Sequence, residues 1–244
     1  MAGLSGRRAH VAQDVGWGNV PQRVMMHLLK ERATFGSVRE LARQLGVGHS
    51  KVAEVVNFLV FHRALRVADA GFVVEWEQLA RIMAALRLPA IVPARTIDLP
   101  IPQAEFHDRL RDAEISHVFG FTTAANALAY FEPHPEVCVL IAKPDMSRVA
   151  RLLDEVAIAH EHRRGRVSSE ASRSQARVLL FADKLDRLDV VDAKIGVVTS
   201  LHQTYVDILH FPLAGAHADF LKKAIEKRWA RDHPETASPR ARSA

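Results

Sequence analysis

A chain of 244 residues, 48% hydrophobic and 25% charged, has the composition of a soluble globular protein. Its length suits two domains of roughly 100–200 residues each. A single cysteine, Cys138, excludes an intrachain disulfide, and no apolar run reaches the ~18 residues of a membrane span. The net charge of +5 is unevenly spread: residues 1–92 carry 12 Lys and Arg against 7 Asp and Glu, whereas residues 93–244 carry 21 of each. The basic excess points to a polyanion partner for the N-terminal part.

Residues 1–19 lack the apolar core of a signal peptide and read as a flexible leader. From Pro21 to Arg32, Val24, Met25, Leu28 and Leu29 form the stripe of a core-facing helix, with Pro21 at a first helical position. Ser37 and Glu40 make a capping box. Val38, Leu41, Ala42 and Leu45 then face inward, and Gly46 ends that helix in the left-handed conformation. A further helix is expected from His49 to His62, with Val52, Val55, Val56, Leu59 and Val60 inward. Two short strands, Leu65–Val67 and Phe72–Glu75, follow around the turn residues Asp69, Ala70 and Gly71.

Helix, helix, tight turn, helix, hairpin is the order of a winged helix-turn-helix. On this reading residues 20–88 form a DNA-binding domain that enters the major groove with the helix at 49–62. His49, Ser50, Lys51, Glu54 and Asn57 lie on its early, outward side. Asn57 suits adenine, Lys51 suits guanine or phosphate, and Glu54 can accept from cytosine. Ser37, Arg39, Arg43, Arg63 and Arg66 are further candidates, the arginines as phosphate contacts. A winged helix used only for protein contacts is the competing reading.

Trp76 to Leu88 is helical by the spacing of Leu79, Ile82, Met83 and Leu86. Four prolines between residues 89 and 102 suggest an extended connector. Residues 103–230 then alternate helical patterns with buried apolar runs at 136–142, 176–182 and 195–199, which indicates a mixed α+β sheet domain. Helices are expected at 103–113, 122–130, 146–159, 200–210 and 216–230. Cys138 falls in the first apolar run and reads as a buried strand thiol. Its reduced state suits a cytoplasmic setting. Residues 231–244 read as a disordered tail.

The run VVTSLHQTYVDILHFPLAGAHADFLKKAI resembles the closing segment of AbiEi-type antitoxin regulators of type IV toxin–antitoxin systems. Ser200, Gln203, Thr204, Tyr205, Asp207, Pro212 and Gly215 match, while Leu201-His202 replaces the usual Pro-Val. FGFTTAANALAYFEPHPEVCVLIAKPD and QARVLLFADKLD are similar to the same family's middle elements. The resemblance implies a winged helix joined to a nucleotidyltransferase-like domain, in a regulator that binds promoter DNA and represses its own operon.

Nucleotidyl transfer needs a Gly-Ser turn and two carboxylates at i and i+2 of one strand, where alternation sets both on one face to hold two metal ions. Here Phe121 follows Gly120, and Cys138 stands two places after Glu136, so no catalysis is expected. Thr122 and Thr123 remain as weak phosphate grips or as an N-cap. His160 and His162 lack the spacing of a metal site. Arg163, Arg164 and Arg166, with Arg173 and Arg177, offer either an auxiliary phosphate-contacting surface or a solvated loop. Gln203, Tyr205 and Asp207 read as hydrogen-bonded interior polar groups. No Walker or dinucleotide glycine fingerprint is present, and no cofactor or metal is expected. The partners expected are double-stranded DNA, a second copy of the chain, and a toxin as functional pair, with no membrane. The alternatives are a nucleotidyltransferase acting on nucleic acid and a module that restrains a partner toxin.

Overall fold

The computed structural model describes residues 18–32, 34–87, 93–99, 101–129, 136–164, 176–209 and 215–234. The fold is mixed α+β: nine helices, a two-stranded and a six-stranded sheet among the described residues. The chain divides into two compact units, residues 1–89 and 90–244.

The first unit runs α1 (Asn19–Glu31), α2 (Val38–Leu45), α3 (His49–Phe61), β1 (Leu65–Ala68), β2 (Gly71–Val74) and α4 (Trp76–Arg87). Its order is the one expected from the spacing of apolar residues. Val24, Met25 and Leu29 of α1, Leu41 of α2, Val52, Val55, Val56 and Leu59 of α3, and Leu79 and Met83 of α4 are buried at 2% exposure or less. Removing that much apolar surface from water is the main force holding so small a unit together. Val60, expected inward, is only half-buried. Helix α1 starts at Asn19, so Pro21 is its third residue rather than its first; the first-turn N–H groups have no intrahelical partner, and proline is tolerated there too.

Local chemistry fixes the ends of α2. The Ser37 hydroxyl accepts from the Glu40 N–H at 3.2 Å, and the Glu40 carboxylate accepts from the Gly36 N–H at 3.1 Å, one residue earlier than in the usual box. Gly46 has φ +60° and donates its N–H to the carbonyls of Ala42 and Arg43. The Trp76 indole N–H donates to the Leu29 carbonyl at 2.9 Å, tying α4 to α1.

The hairpin carries a third element that the sequence did not disclose. Phe35 bridges Phe72 with two backbone hydrogen bonds of 3.2 and 2.9 Å, and the two rings stack at 4.9 Å. Gly71 makes that approach feasible. It has φ +126°, and a Cβ there would lie 2.3 Å from the Phe35 carbonyl oxygen.

The second unit is built on β3 (Arg95–Leu99), β4 (His117–Phe119), β5 (Glu136–Ala142), β6 (Ala176–Asp183), β7 (Val190–Ala193) and β8 (Gly196–Thr199). Their order across the sheet is β3-β6-β5-β4-β8-β7, parallel at β5/β6 and β4/β8 and antiparallel elsewhere. The helices are α5 (Gln103–Asp112), α6 (Phe121–Ala129), α7 (Met146–Arg164), α8 (Leu201–Ile208) and α9 (Gly215–Asp232). Alternation along the central strands feeds two faces. Val137, Val139 and Ile141 of β5 and Val178 and Leu180 of β6 pack with Phe106 and Leu110 of α5 and with Val149, Leu153 and Val156 of α7. Cys138, Leu140 and Phe181 take the opposite face, where Phe121 stacks on Phe181 at 4.3 Å and α6 packs on α8.

Four details differ from expectation. Residues 95–99, expected in an extended connector, form edge strand β3, paired from Arg95↔Leu180 to Leu99↔Ala176. Strand β7 was not foreseen. The stretch reaching Arg164 is helix α7 rather than loop, and α9 continues through Arg231 and Asp232, two residues expected in the tail. The leader to residue 17 and the tail from residue 235 lie outside the described residues.

A histidine pair sits beside the β7–β8 turn. The His107 and His117 rings are 5.2 Å apart, His117 Nδ1 lies 2.8 Å from the Ile115 carbonyl, and His107 lies against Gly196. Burial, and then the neighbouring His107, hold the His117 imidazole below its usual value. A depressed folded pKa favours the neutral ring. Its stabilising contribution is therefore complete above the unfolded value of about 6.5 and is lost as pH falls through the folded one. Urea melts should show this unit weakening below about pH 6.5, with His117→Phe flattening the dependence.

Candidate nucleic-acid interface

Helix α3 presents one buried and one open side. Val52, Val55, Val56 and Leu59 anchor it, and the same 3.6-residue turn leaves His49, Ser50, Lys51 and Asn57 exposed and Glu54 half-buried. Its N-terminus has no side-chain cap: Gly48 precedes it, and no carboxylate lies in the first turn. The free N–H groups and the positive end of the helix dipole thus stand beside Lys51 on open surface. Lys51 Nζ is 3.0 Å from Glu54 Oε2, an exposed pair of little net worth.

Arg39 and Arg43 on α2, and Arg63 just after α3, are exposed and make no ion pair among the described residues. Arg63 takes φ +59° as the chain turns from α3 into β1. Arg66 of β1 is exposed, and its Nε is 3.2 Å from Glu75 Oε1. Between α3, the hairpin and α4 lies an open cleft of about 600 Å³, lined by Val60, Arg63, Leu65, Arg66, Glu75 and Gln78. Glu75 closes the expected hairpin, its N–H donating to the Ala64 carbonyl at 2.9 Å, whereas Gln78 had no signal in the sequence, because its place in the cleft depends on how α4 folds back. The same is true of Arg32, whose guanidinium lies 4.0 Å from the Trp76 ring centre.

Ser37 has a defined task apart from any partner, since its oxygen caps α2. Ser37→Ala should cost about 1 kcal/mol of stability. Its effect on the salt dependence of any DNA binding should be negligible, and parallel melts and titrations check both.

In the second unit Thr122 and Thr123, read from the sequence as weak phosphate grips or as an N-cap, are turned inward. Thr122 and Thr123 are buried at 0% and 6% exposure. Thr123 Oγ1 accepts from the Cys138 N–H at 2.8 Å, and Thr122 Oγ1 lies 3.5 Å from Cys138 Sγ. Burial pushes the Cys138 thiol up to about 12. Among the described residues no three of His, Cys, Asp and Glu gather as metal ligands would. Gln203 and Asp207 are fully buried and joined by a 2.9 Å hydrogen bond, and Thr204 Oγ1 donates to the Thr199 carbonyl at 3.1 Å. The Ser200 hydroxyl caps α8 and donates to Asp189 Oδ2.

Of the auxiliary arginines, Arg163 and Arg164 end α7, with side chains outside the described residues, and Arg166 and Arg173 lie outside them altogether. Arg177 belongs to β6, and its Nε donates to Asp98 Oδ1 at 3.2 Å, so it has a carboxylate partner that its local sequence did not reveal. The described residues include no helix long and apolar enough to cross a membrane.

The fold is thus a mixed α+β arrangement of two units, the first carrying an exposed cationic helix face. No protein-family model, curated protein or solved structure matches the chain.

Proposed function

We propose that the first unit is a winged helix-turn-helix that binds double-stranded DNA, and that the protein is a transcriptional regulator repressing its own operon by occupancy. The observation that carries this reading is the exposed, uncapped start of α3 with His49, Ser50, Lys51 and Asn57, flanked by Arg39, Arg43 and Arg63, which have no ion-pair partner among the described residues. A helix fits the major groove, its first residues meet base edges, and free N–H groups and cations meet phosphate. The basic excess of residues 1–92 agrees. Arg66 and the cleft beside it supply the wing contact. The inward-turned Thr122 and Thr123, and Cys138 in place of a second carboxylate, speak for a non-catalytic second unit. The resemblance of its closing segment to AbiEi-type antitoxin regulators agrees with a DNA-binding, cytoplasmic role and with a toxin as functional pair.

A gel-shift titration with duplex from upstream of the protein's own gene tests the reading. A shift at lower protein concentration than for random duplex is the expected result. Equal absence of shift on both would overturn it.

A further inference from the structure

The sheet of the second unit has two dissimilar edges. At β3 the flank is crossed by ion pairs, Arg95 with Asp154 of α7 at 3.1 Å and Arg177 with Asp98 at 3.2 Å. At β7 it is apolar: Val190 and Val191 are 40% and 41% exposed, and Val197 of the adjoining β8 is 38% exposed. Bare strand edges are sites of further pairing.

The backbone phase of β7 can be read off. Ser200 N–H donates to the Asp189 carbonyl at 2.7 Å, so Asp189 points its polar groups towards β8. Antiparallel alternation then directs Val191 and Ala193 the same way, which agrees with Ala193↔Gly196 closing the two-residue loop Lys194-Ile195. Val190 and Asp192 therefore turn their N–H and C=O groups away from the sheet. No backbone partner takes these groups among the described residues.

We propose that this edge pairs antiparallel with the β7 edge of a second copy of the chain, across a two-fold axis at Val191. An axis normal to the sheet must pass where a residue faces its own equivalent, at Val190, Val191 or Asp192. At Asp192 it would set two carboxylates opposite each other, which is repulsive. At Val190 it would set Asp192 opposite Leu188, whose N–H is already given to the Leu185 carbonyl at 3.2 Å. At Val191 each copy's Val190 faces the other's Asp192, and the outward groups exchange about four hydrogen bonds. The two Val191 side chains then meet as a close, non-hydrogen-bonded pair. No like charges face each other directly: Lys194 of each copy comes level with Leu188 of the other, between Arg187 and Asp189. One register thus satisfies the hydrogen bonds without setting like charges opposite each other, and a second copy fits it because the match is symmetric. This inference goes beyond the DNA-binding reading and does not rest on it.

Full-length chain without DNA provides the test. Val191→Cys should form a disulfide-linked dimer under mild oxidation several-fold faster than Asp192→Cys, because only position 191 faces itself. Cys138 is buried and unreactive. In sedimentation the wild type should dimerise as concentration rises, and Val190→Pro should remain monomeric, since the N–H it removes faces outward. Val191→Lys, which sets two ammonium groups at the axis, is the second breaker should the proline variant melt early. A wild type that is monomeric at every concentration, equal cross-linking of the two cysteine variants, or a dimer that survives both breakers would overturn the proposal.

Discussion

Replacing Lys51 and Arg43 together by alanine should weaken binding to any duplex by about an order of magnitude or more, and equally for upstream and random sequence. Both side chains stand on exposed surface, one in the first turn of α3 and one on α2. In the proposed complex both meet phosphate, which is the same in every sequence. The Lys51–Glu54 pair does not oppose this, because an ion pair so open to water is easily exchanged for phosphate. Asn57→Ala should behave differently. It removes a base-edge contact worth about 1–3 kcal/mol, so it should lower affinity for the upstream sequence and leave random duplex nearly unchanged. Anisotropy titrations of the wild type and the two variants on both duplexes decide the matter. A double variant that binds as tightly as the wild type would remove α2 and α3 from the interface.

The second large effect concerns folding. Gly71→Ala should destabilise the first unit by about 3 kcal/mol or more, a sizeable part of the roughly 5–15 kcal/mol that a domain has. Two costs combine. A side chain at φ +126° is strained whatever space surrounds it. The new Cβ would also lie 2.3 Å from the Phe35 carbonyl oxygen and 2.8 Å from Gly36 Cα, and neither backbone atom can move without breaking the Phe35–Phe72 bridge. Gly36 and Ser37 begin the cap of α2, so the damage should spread to the helix that carries Arg39 and Arg43. Urea melts read the loss directly; a midpoint within error of the wild type would contradict this account of the hairpin.

Features with a short-range cause were legible in the sequence. The pairs Val24/Met25 and Leu28/Leu29, the Ser37–Glu40 box, the left-handed Gly46 and the alternation of faces on α3 all arise within four residues. The candidate interface was legible for the same reason, since exposure on an amphipathic helix follows from its buried stripe. What escaped depends on partners distant in the chain. Strand β3 is Arg-Thr-Ile-Asp-Leu, largely exposed, and only β6, some eighty residues on, makes it a strand. Strand β7 is four residues long and needs β8. The Phe35 bridge, Asp98 beside Arg177, and the hydrogen bond from the Cys138 N–H to Thr123 are likewise products of tertiary structure.

The central claim is that the cationic face around α3 binds duplex DNA through its phosphates. The most direct test is the observed association constant for a short duplex across a range of salt concentrations. Counterion release predicts that its logarithm falls linearly with that of salt concentration, with a slope near −0.9 for each phosphate neutralised. Contacts from Arg39, Arg43, Lys51, Arg63 and Arg66 should give a steep line that becomes shallower by about two when Lys51 and Arg43 are alanine. An affinity that is flat with salt, or a slope that the double variant leaves unchanged, would contradict the claim.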